Sequence, residues 1–407
     1  MHLLISFAAL LLSVALVQLG SGTLGPLDAL SGAALGFSTR EIGLLGSAHF
    51  LGFFIGCYLT PAMIGRVGHS RAFAAMAAIG AVGALLHPMV PVSWAWAGMR
   101  VLSGMSVAGC YTIVESWLQA KADNRTRGRV SSLYRVVDMV ASMIAQLMIG
   151  FLEPASYVSY NIVACLLCLC LLPLTLTRAT APAITARPRV NVLRAIRLSP
   201  LGAAGVVTVG LTNSSFRMVG PVFGQQNGLS AAQIGQFLAA ALLGGALAQP
   251  VVGSLSDRFD RRIVLIAVSV LALGACAFIG SRPEAQGFGQ LALASFLFGA
   301  TAFPLYSVSV AHANDFAKPE AVIELNASLM VLYGLGAIVS PLLASELIAA
   351  YGPGAMFAYI GAAHVGLILF GLYRMGTGRK AAAKTPYTYR PRTSFTLERL
   401  LRRNRQD

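Results

Sequence analysis

Long apolar stretches alternate with short polar segments along almost the whole chain. Each stretch has about the 20 apolar residues that an α-helix needs to cross roughly 30 Å of hydrocarbon. Because lipid offers no hydrogen-bond partners to an open backbone, stretches of this length predict membrane-spanning helices. The pattern predicts twelve spans, at about residues 3–30, 42–64, 72–90, 93–120, 129–152, 155–177, 200–222, 231–255, 262–281, 286–313, 321–348 and 353–375.

The pattern of spans and turns is repeated in the second half of the chain. Matching residues lie 192 or 195 positions apart: Gly36 and Gly228, Ser38 and Ser230, Gly25-Pro26 and Gly220-Pro221, Gly104 and Gly299, and Tyr111 and Tyr306. A long apolar chain built from two similar halves is typical of secondary transporters, which bind their solute between the halves. The repeat therefore predicts two equivalent helix bundles.

The composition excludes a water-soluble protein. Of the 407 residues, 56% are hydrophobic and only 11% are charged, whereas about 25% are charged in typical soluble domains. A water-soluble core of this size needs a charged shell to cover it, and this chain has too few charged residues to form one. We therefore predict an integral membrane protein.

The net charge of +15 reflects the topology of the spans rather than a nucleic-acid-binding surface. Of the 30 Lys and Arg residues, 25 fall on one side of the predicted membrane, in the loops after even-numbered spans and in the C-terminal tail. Arg40 and Arg282 fall on the other side, and Arg100, Arg135 and Arg217 lie within spans. The positive-inside rule then places both termini in the cytoplasm.

A change in composition divides the chain near its middle. The segment between the halves is rich in Pro, Arg, Ala and Thr, and it suits a cytoplasmic linker that lies against anionic headgroups. Its part from Arg194 to Arg197 is expected to form a short interfacial helix. The predicted regions are an N-terminal six-helix bundle at 1–177, the linker at 178–200, a C-terminal six-helix bundle at 201–375 and a basic cytoplasmic tail at 376–407.

The loop between spans 8 and 9 carries a recognisable signature. Gly253, Asp257, Arg258, Arg261 and Arg262 resemble the pattern Gly-x-x-x-Asp-Arg-x-Gly-Arg-Arg of the major facilitator superfamily. In that family this loop stabilises one closed state of the transporter through charge pairs and helix-end contacts. The resemblance therefore implies that the loop latches a gate, and the alternative is a solvated turn.

The first half carries weaker forms of the family's signatures. Only Arg66 and Gly68 keep the loop pattern there, because Gly65 stands in the place of the acid. Arg100 and Gly104 in span 4 resemble the family's second signature. The resemblance covers nearly the whole chain. It implies an all-α membrane fold of twelve transmembrane helices in two pseudo-symmetric six-helix bundles, with both termini inside.

Span 4 and the loop after it resemble the YcaD-type branch of this superfamily. The chain reads Val-Ala-Gly-Cys-Tyr-Thr-Ile-Val-Glu-Ser-Trp-Leu at 107–118 and Asn-Arg-Thr-Arg-Gly-Arg at 124–129. The Gly-Pro signature that drug–proton antiporters carry in span 5 is missing from residues 136–150. This departure disfavours efflux of drugs or toxic metabolites without excluding it.

Ionisable side chains at bilayer depth are costly unless they are paired or face water, so each one is a candidate site. In the resembled fold spans 1, 4, 7 and 10 line the central cavity, and Asp28, Arg100 and Arg217 lie on three of them. Two guanidinium groups suit a solute with anionic or strongly accepting oxygens. The alternative is that Asp28 only neutralises an arginine to permit its burial. The predicted substrate-binding residues are Asp28, Arg100, Tyr111, Asn213, Arg217 and Tyr306.

A second set of charged residues is predicted to couple protons or to act as gates. Arg135 and Asp138 share a helix face in span 5, at about the depth of Glu115 in span 4. They are expected to lock spans 4 and 5 together; the alternative is that one of the acids titrates as protons move. The candidates for gating or proton coupling are Glu115, Arg135, Asp138, Asp257, Arg258 and Arg261.

These features predict a monomeric secondary active transporter of the inner membrane. We expect it to move a small polar or anionic organic solute by alternating access with protons as the coupling ion, and a vitamin of the riboflavin kind fits. The sequence has no nucleotide-binding loop, metal-ligand cluster or nucleophile elbow, so we predict no enzymatic activity and no cofactor. The expected partners are solute, protons and membrane lipids, and no nucleic acid. The remaining alternative is a non-transporting sensor with a transporter fold.

Overall fold

The computed structural model describes residues 2–121, 127–176, 190–281 and 287–377, together with Thr385 and Tyr387. These residues are almost entirely helical and contain no β-strand. Residues 178–189 of the predicted linker and the rest of the predicted tail lie outside them. The helices are α1 (His2–Ala34), α2 (Thr39–Val67), α3 (His69–Leu86), α4 (Ser93–Lys121), α5 (Arg127–Met148), α6 (Tyr157–Leu169), α7 (Leu171–Thr175), α8 (Val192–Leu198), α9 (Pro200–Gln226), α10 (Ala231–Arg258), α11 (Arg261–Ser281), α12 (Phe288–Ala302), α13 (Leu305–Asn314), α14 (Val322–Tyr351) and α15 (Ala355–Thr377).

Ten helical segments in the described part of the chain are long and apolar enough to cross a membrane. An eleventh results if α8 and α9 are counted as one span, although the chain bends by 118° between them. The 29-residue helix α4 is long enough, but it carries Arg100 and Glu115 and is not among the ten. The all-α membrane fold is therefore confirmed, whereas the count of twelve and the cytoplasmic placement of both termini stay predictions.

The described chain forms two compact units. The first unit contains Met1–Gly36 and Ala48–Pro188, and the second contains Phe37–Ser47 and Arg189–Arg390. In the first unit α1 packs on α5, and α3 packs on α6. In the second unit α9 packs on α14, and α11 packs on α15. Since these helices occupy matching places in the two halves, the repeated sequence folds into repeated helix pairs.

The repeated turn residues end and restart helices in the same way in both halves. Gly36 follows α1 and Gly228 follows α9, with φ angles of 82° and 74°, in the left-handed region that favours glycine. Ser38 and Ser230 then cap the next helix, since each hydroxyl accepts from the backbone N–H three residues later. The acid or amide at that third position accepts in return from the serine N–H, which completes a capping box.

Repeated glycines also let helices approach closely in both units. A Cβ at Gly104 of α4 would overlap the carbonyl oxygen of His49 in α2. In the second unit, a Cβ at Gly299 of α12 would overlap the carbonyl oxygen of Ala241 in α10. Because lipid tails are as apolar as the side chains, membrane helices associate largely through such close packing of small residues.

Replacing Gly299 with alanine is expected to destabilise the protein by about 1–3 kcal/mol, because the added methyl group forces α10 and α12 apart. Gly274→Ala is a matched control, since the same change in α11 meets no atom within 4 Å. It is expected to be neutral or to gain up to about 1 kcal/mol in helix propensity. Thermal unfolding of the detergent-purified variants measures both, and equal unfolding temperatures would contradict the close packing.

Phenylalanine side chains fill the interior of the second unit. The ring of Phe216 in α9 lies 5.4 Å from Phe237 in α10 and 4.9 Å from Phe298 in α12, between ring centroids. Phe223, two turns further along α9, lies 4.9 Å from Phe357 in α15. Tilted and edge-to-face ring pairs of this kind are favourable beyond their buried area. They fix the position of α9, the helix that carries two of the predicted substrate-binding residues.

Candidate functional site

The charged residues predicted on spans 1 and 4 meet in the interior of the first unit. Asp28 of α1 and Arg100 of α4 are each 1% exposed, and Asp28 Oδ2 lies 3.5 Å from Arg100 Nη1. Two further residues complete the group. His87 Nε2 lies 3.3 Å from Asp28 Oδ2, and the Tyr160 hydroxyl donates a hydrogen bond of 2.9 Å to Asp28 Oδ1. We call these four residues the Asp28 cluster.

Aromatic rings surround the Asp28 cluster. The ring of His87, which follows the last residue of α3, stacks on Tyr160 at a centroid distance of 5.2 Å. Trp96 meets the same histidine edge-on at 4.9 Å, and its Nε1 donates a hydrogen bond of 2.9 Å to the His87 carbonyl oxygen. Trp96, like the members of the cluster, is fully buried. Electrostatic interactions in such a water-free environment are much stronger than they are at the surface.

The hydrogen bond between His87 Nδ1 and Gly83 leaves the other ring nitrogen facing Asp28. Nδ1 lies 2.6 Å from the carbonyl oxygen of Gly83, which only accepts, so Nδ1 carries a hydrogen. Nε2 then faces Asp28 Oδ2, and two acceptors at 3.3 Å repel each other unless one of them is protonated. Neither of these two atoms has a hydrogen-bond partner among the described residues, so the pair is a candidate position for a bound proton.

A second polar group joins α1, α4 and α5 inside the first unit. The hydroxyl of Tyr111 contacts the side-chain amide of Gln18 and lies 2.5 Å from Asp138 Oδ1. The Tyr134 hydroxyl donates a hydrogen bond of 2.9 Å to Glu115 Oε1. Since a phenol carries a single hydrogen, either Gln18 presents its NH₂ group to Tyr111 or Asp138 carries a proton. We call these five residues the Tyr111 cluster.

The structure brings the two predicted carboxylates of this region to neighbouring tyrosines. Glu115 is buried and Asp138 is half-buried, and the bond between Tyr134 and Glu115 joins α5 to α4. Arg135 is half-buried on α5, three residues before Asp138. The predicted lock between spans 4 and 5, and the alternative that one of these acids titrates during transport, both stay predictions.

In the second unit, the loop that resembles the family signature forms a buried ion-pair network around Arg261. Nη1 of Arg261 lies 2.6 Å from Asp315 Oδ1 and donates a hydrogen bond of 2.7 Å to the carbonyl oxygen of Ala311. Nη2 lies 3.1 Å from Asp257 Oδ1, one helical turn earlier in the chain. Arg258 is exposed at the end of α10. The network joins α10, α11 and α13, and its predicted role as a gate latch stays a prediction.

Two residues beyond α15 complete this network. The backbone N–H and the hydroxyl of Thr385 donate hydrogen bonds of 2.8 and 2.9 Å to Asp315 Oδ1. The backbone N–H of Tyr387 donates a hydrogen bond of 2.8 Å to Asp257 Oδ1. Gln249 Nε2 donates a hydrogen bond of 2.5 Å to the Tyr387 hydroxyl. This part of the predicted tail therefore lies against the ends of α10 and α13.

The other predicted substrate-binding residues lie on α9 and α13 of the second unit. Arg217 is exposed and Asn213, one turn before it on α9, is buried. Tyr306 of α13 is buried and makes an edge-to-face contact with Tyr333 of α14, at a centroid distance of 5.6 Å. A shared role of these residues with those of the first unit in binding one solute stays a prediction.

Sequence reasoning missed several residues of these networks, among them His87, Tyr160 and Asp315. His87 falls within predicted span 3, so the rule that marks intramembrane ionisable residues as candidates would have found it. Tyr160 gave no signal, because a tyrosine in an apolar span is usually a packing residue. Asp315 lies just beyond the predicted end of span 10 and therefore escaped the same rule.

Comparisons with known proteins agree with this fold. A family model described as Major Facilitator Superfamily matches residues 10–226 and 202–406. The uncharacterized MFS-type transporter YcaD of Salmonella typhi is 27% identical over 359 residues, which are 86% of this chain and 91% of the relative. The crystal structure of the nucleoside transporter NupG has a TM-score of 0.72 at 18% identity, covering 91% of this chain and 98% of that chain. The crystal structure of a D-xylose–proton symporter has a TM-score of 0.69 at 14% identity, covering 94% and 99%.

Proposed function

We propose, from the premise that this chain belongs to the major facilitator superfamily, that it is a proton-coupled secondary active transporter of the inner membrane. The family and the YcaD relative, both predicted from the sequence, are confirmed. The chain is accordingly a multi-pass membrane transporter and not an enzyme. Its solute is a small polar or anionic organic molecule, and it moves by alternating access.

The observation that supports proton coupling is the buried pair of facing acceptors in the Asp28 cluster, His87 Nε2 and Asp28 Oδ2. A proton bound between these two atoms would lie in a buried site, beside the positive charge of Arg100. Removing that proton leaves two acceptors facing each other, so the protonation state changes how α1, α3 and α4 attract one another. A transporter needs such a dependence of helix packing on proton binding in order to couple the movement of protons to the movement of its solute.

Two observations support a polar solute. Arg217 presents an exposed guanidinium on α9, one turn from Asn213, and guanidinium groups bind accepting oxygens. The two solved structures of similar fold are described as transporters of a nucleoside and of D-xylose, both polar organic molecules. Riboflavin and nucleosides are therefore the first solutes to test.

Uptake by proteoliposomes tests this function directly. With an inward proton gradient, a transported solute is expected to accumulate above its external concentration, whereas protein-free liposomes only equilibrate with it. An electroneutral potassium–proton exchanger, which collapses the pH gradient at constant membrane potential, is expected to abolish the accumulation. Equal accumulation with the pH gradient collapsed would exclude proton coupling. Transport of the solute only in the outward direction would indicate efflux.

A further inference from the structure

A basic cavity of about 490 Å³ lies within the second unit, at the end where α9 and α11 begin and α13 and α15 end. Its lining includes Arg197, Arg262 and Arg374, together with His312. The volume falls in the range of about 300–1,000 Å³ that is typical of ligand pockets. Because these helices begin and end here, we expect the cavity to lie at the depth of lipid headgroups rather than at the centre of the bilayer.

Arg262 has an unused hydrogen-bond donor in this cavity. Its Nε and Nη2 bond to the Asp260 carboxylate, at 3.2 and 2.7 Å. The hydrogen bonds from Arg262 hold the pKa of Asp260 below its usual range, so this carboxylate stays ionised. The third nitrogen, Nη1, is buried without a hydrogen-bond partner, on a side chain only 6% exposed. A buried donor without an acceptor is costly, so a missing ligand is indicated.

Unlike Arg262, the other two arginines of the cavity have no carboxylate partner among the described residues. Neither Arg197 nor Arg374 forms an ion pair or a hydrogen bond with another residue in the ranges that the structure describes. Three guanidinium groups therefore face the cavity, and Asp260 is the carboxylate paired with one of them. The first turn of the 27-residue helix α9 also borders the cavity, and its dipole adds positive potential.

We propose that this cavity binds a phosphate group, carried either by the headgroup of an anionic lipid or by a soluble phosphate. Three separated guanidinium groups match the several oxygens of a tetrahedral phosphate better than the two oxygens of a carboxylate. The same lining contains Leu198, Leu201 and Phe316, which suit the glycerol and acyl portions of a lipid. The site lies entirely within the second unit and does not depend on proton coupling.

The test uses the full chain, purified in detergent and stripped of lipid. Phosphatidylglycerol, phosphatidylcholine and inorganic phosphate are titrated separately, with chloride at matched ionic strength, and binding is followed by native mass spectrometry and thermal shift. Stabilisation by phosphatidylglycerol but not by inorganic phosphate would identify a lipid site. Stabilisation by inorganic phosphate above chloride would identify a soluble phosphate site. Either result supports the proposal. If neither phosphatidylglycerol nor inorganic phosphate binds, the proposal is wrong.

A charge-matched pair of variants separates a built site from general surface charge. The double change Arg197→Gln with Arg374→Gln is expected to weaken binding roughly 30-fold, about 5-fold for each basic group. The control is Arg66→Gln with Arg71→Gln, which removes the same charge from exposed positions of the first unit. Equal weakening by both double variants would overturn the proposal. Because Arg197 is exposed and Arg374 is half-buried, the test avoids the risk that replacing buried Arg262 unfolds the protein.

Discussion

An Asp28→Asn variant is expected to lose about 3–5 kcal/mol of stability, the usual cost of removing one partner from a buried ion pair. The change leaves the positive charge of Arg100 without its carboxylate at a site that is 1% exposed. It also removes the carboxylate oxygen that faces His87 Nε2 at 3.3 Å. We therefore expect proton-driven accumulation of solute to disappear as well. Unfolding of the detergent-purified protein measures the first effect, and flux into proteoliposomes measures the second.

A double variant separates the two roles that Asp28 can have. Replacing Arg100 with glutamine in the Asp28→Asn background removes both charges, and it is expected to restore at least about 2 kcal/mol of the lost stability. If Asp28 only neutralises Arg100, the double variant also regains transport. If Asp28 carries the coupled proton, the double variant folds but does not accumulate solute. A single variant as stable as the natural protein would contradict the buried pair altogether.

Replacing Arg261 with glutamine is the second change with a large expected effect. Asp315, whose side chain is 3% exposed, would keep its negative charge and lose the guanidinium at 2.6 Å. The lost charge pair is expected to destabilise the protein by about 3–5 kcal/mol. The same change releases Asp257 from its ion pair, so the ends of α10 and α13 lose their common partner. Thermal unfolding in detergent measures the loss.

Arg258→Gln is the matched control for this second variant. Arg258 lies three residues before Arg261, carries the same charge and is exposed at the end of α10. Its replacement is expected to change stability by no more than about 0.5 kcal/mol, as for most surface substitutions. If the two variants unfold at the same temperature, the network around Arg261 does not stabilise the second unit as its geometry implies.

The repeated turns show which parts of the fold could be predicted from the sequence. Gly36 and Ser38 lie 192 residues before Gly228 and Ser230, and in both halves the glycine ends a helix and the serine caps the next. These are local effects, in which the residue type fixes the backbone conformation directly. The long apolar runs likewise predicted the helices, because a backbone in lipid must satisfy its own hydrogen bonds.

Contacts between distant helices were harder to predict. The pairing of Asp28 with Arg100 was one of two alternatives, since both residues lie in spans of an apolar bundle. The signature loop that contains Asp257 and Arg261 was recognised, but the shorter contact of Arg261 is to Asp315, 54 residues later. Which residue of α13 faces α11 depends on the rotation of both helices about their axes. An apolar sequence that is buried on several sides does not encode that rotation.

The contacts of Thr385 and Tyr387 have a practical consequence for handling the protein. These residues supply donors to Asp315 and Asp257 from outside the last helix, so both of them belong to the folded second unit. A truncation immediately after that helix removes those donors while the carboxylates remain. Affinity handles and fluorescent reporters should accordingly be fused downstream of Tyr387 through a spacer, so that the contacts of Thr385 and Tyr387 stay intact.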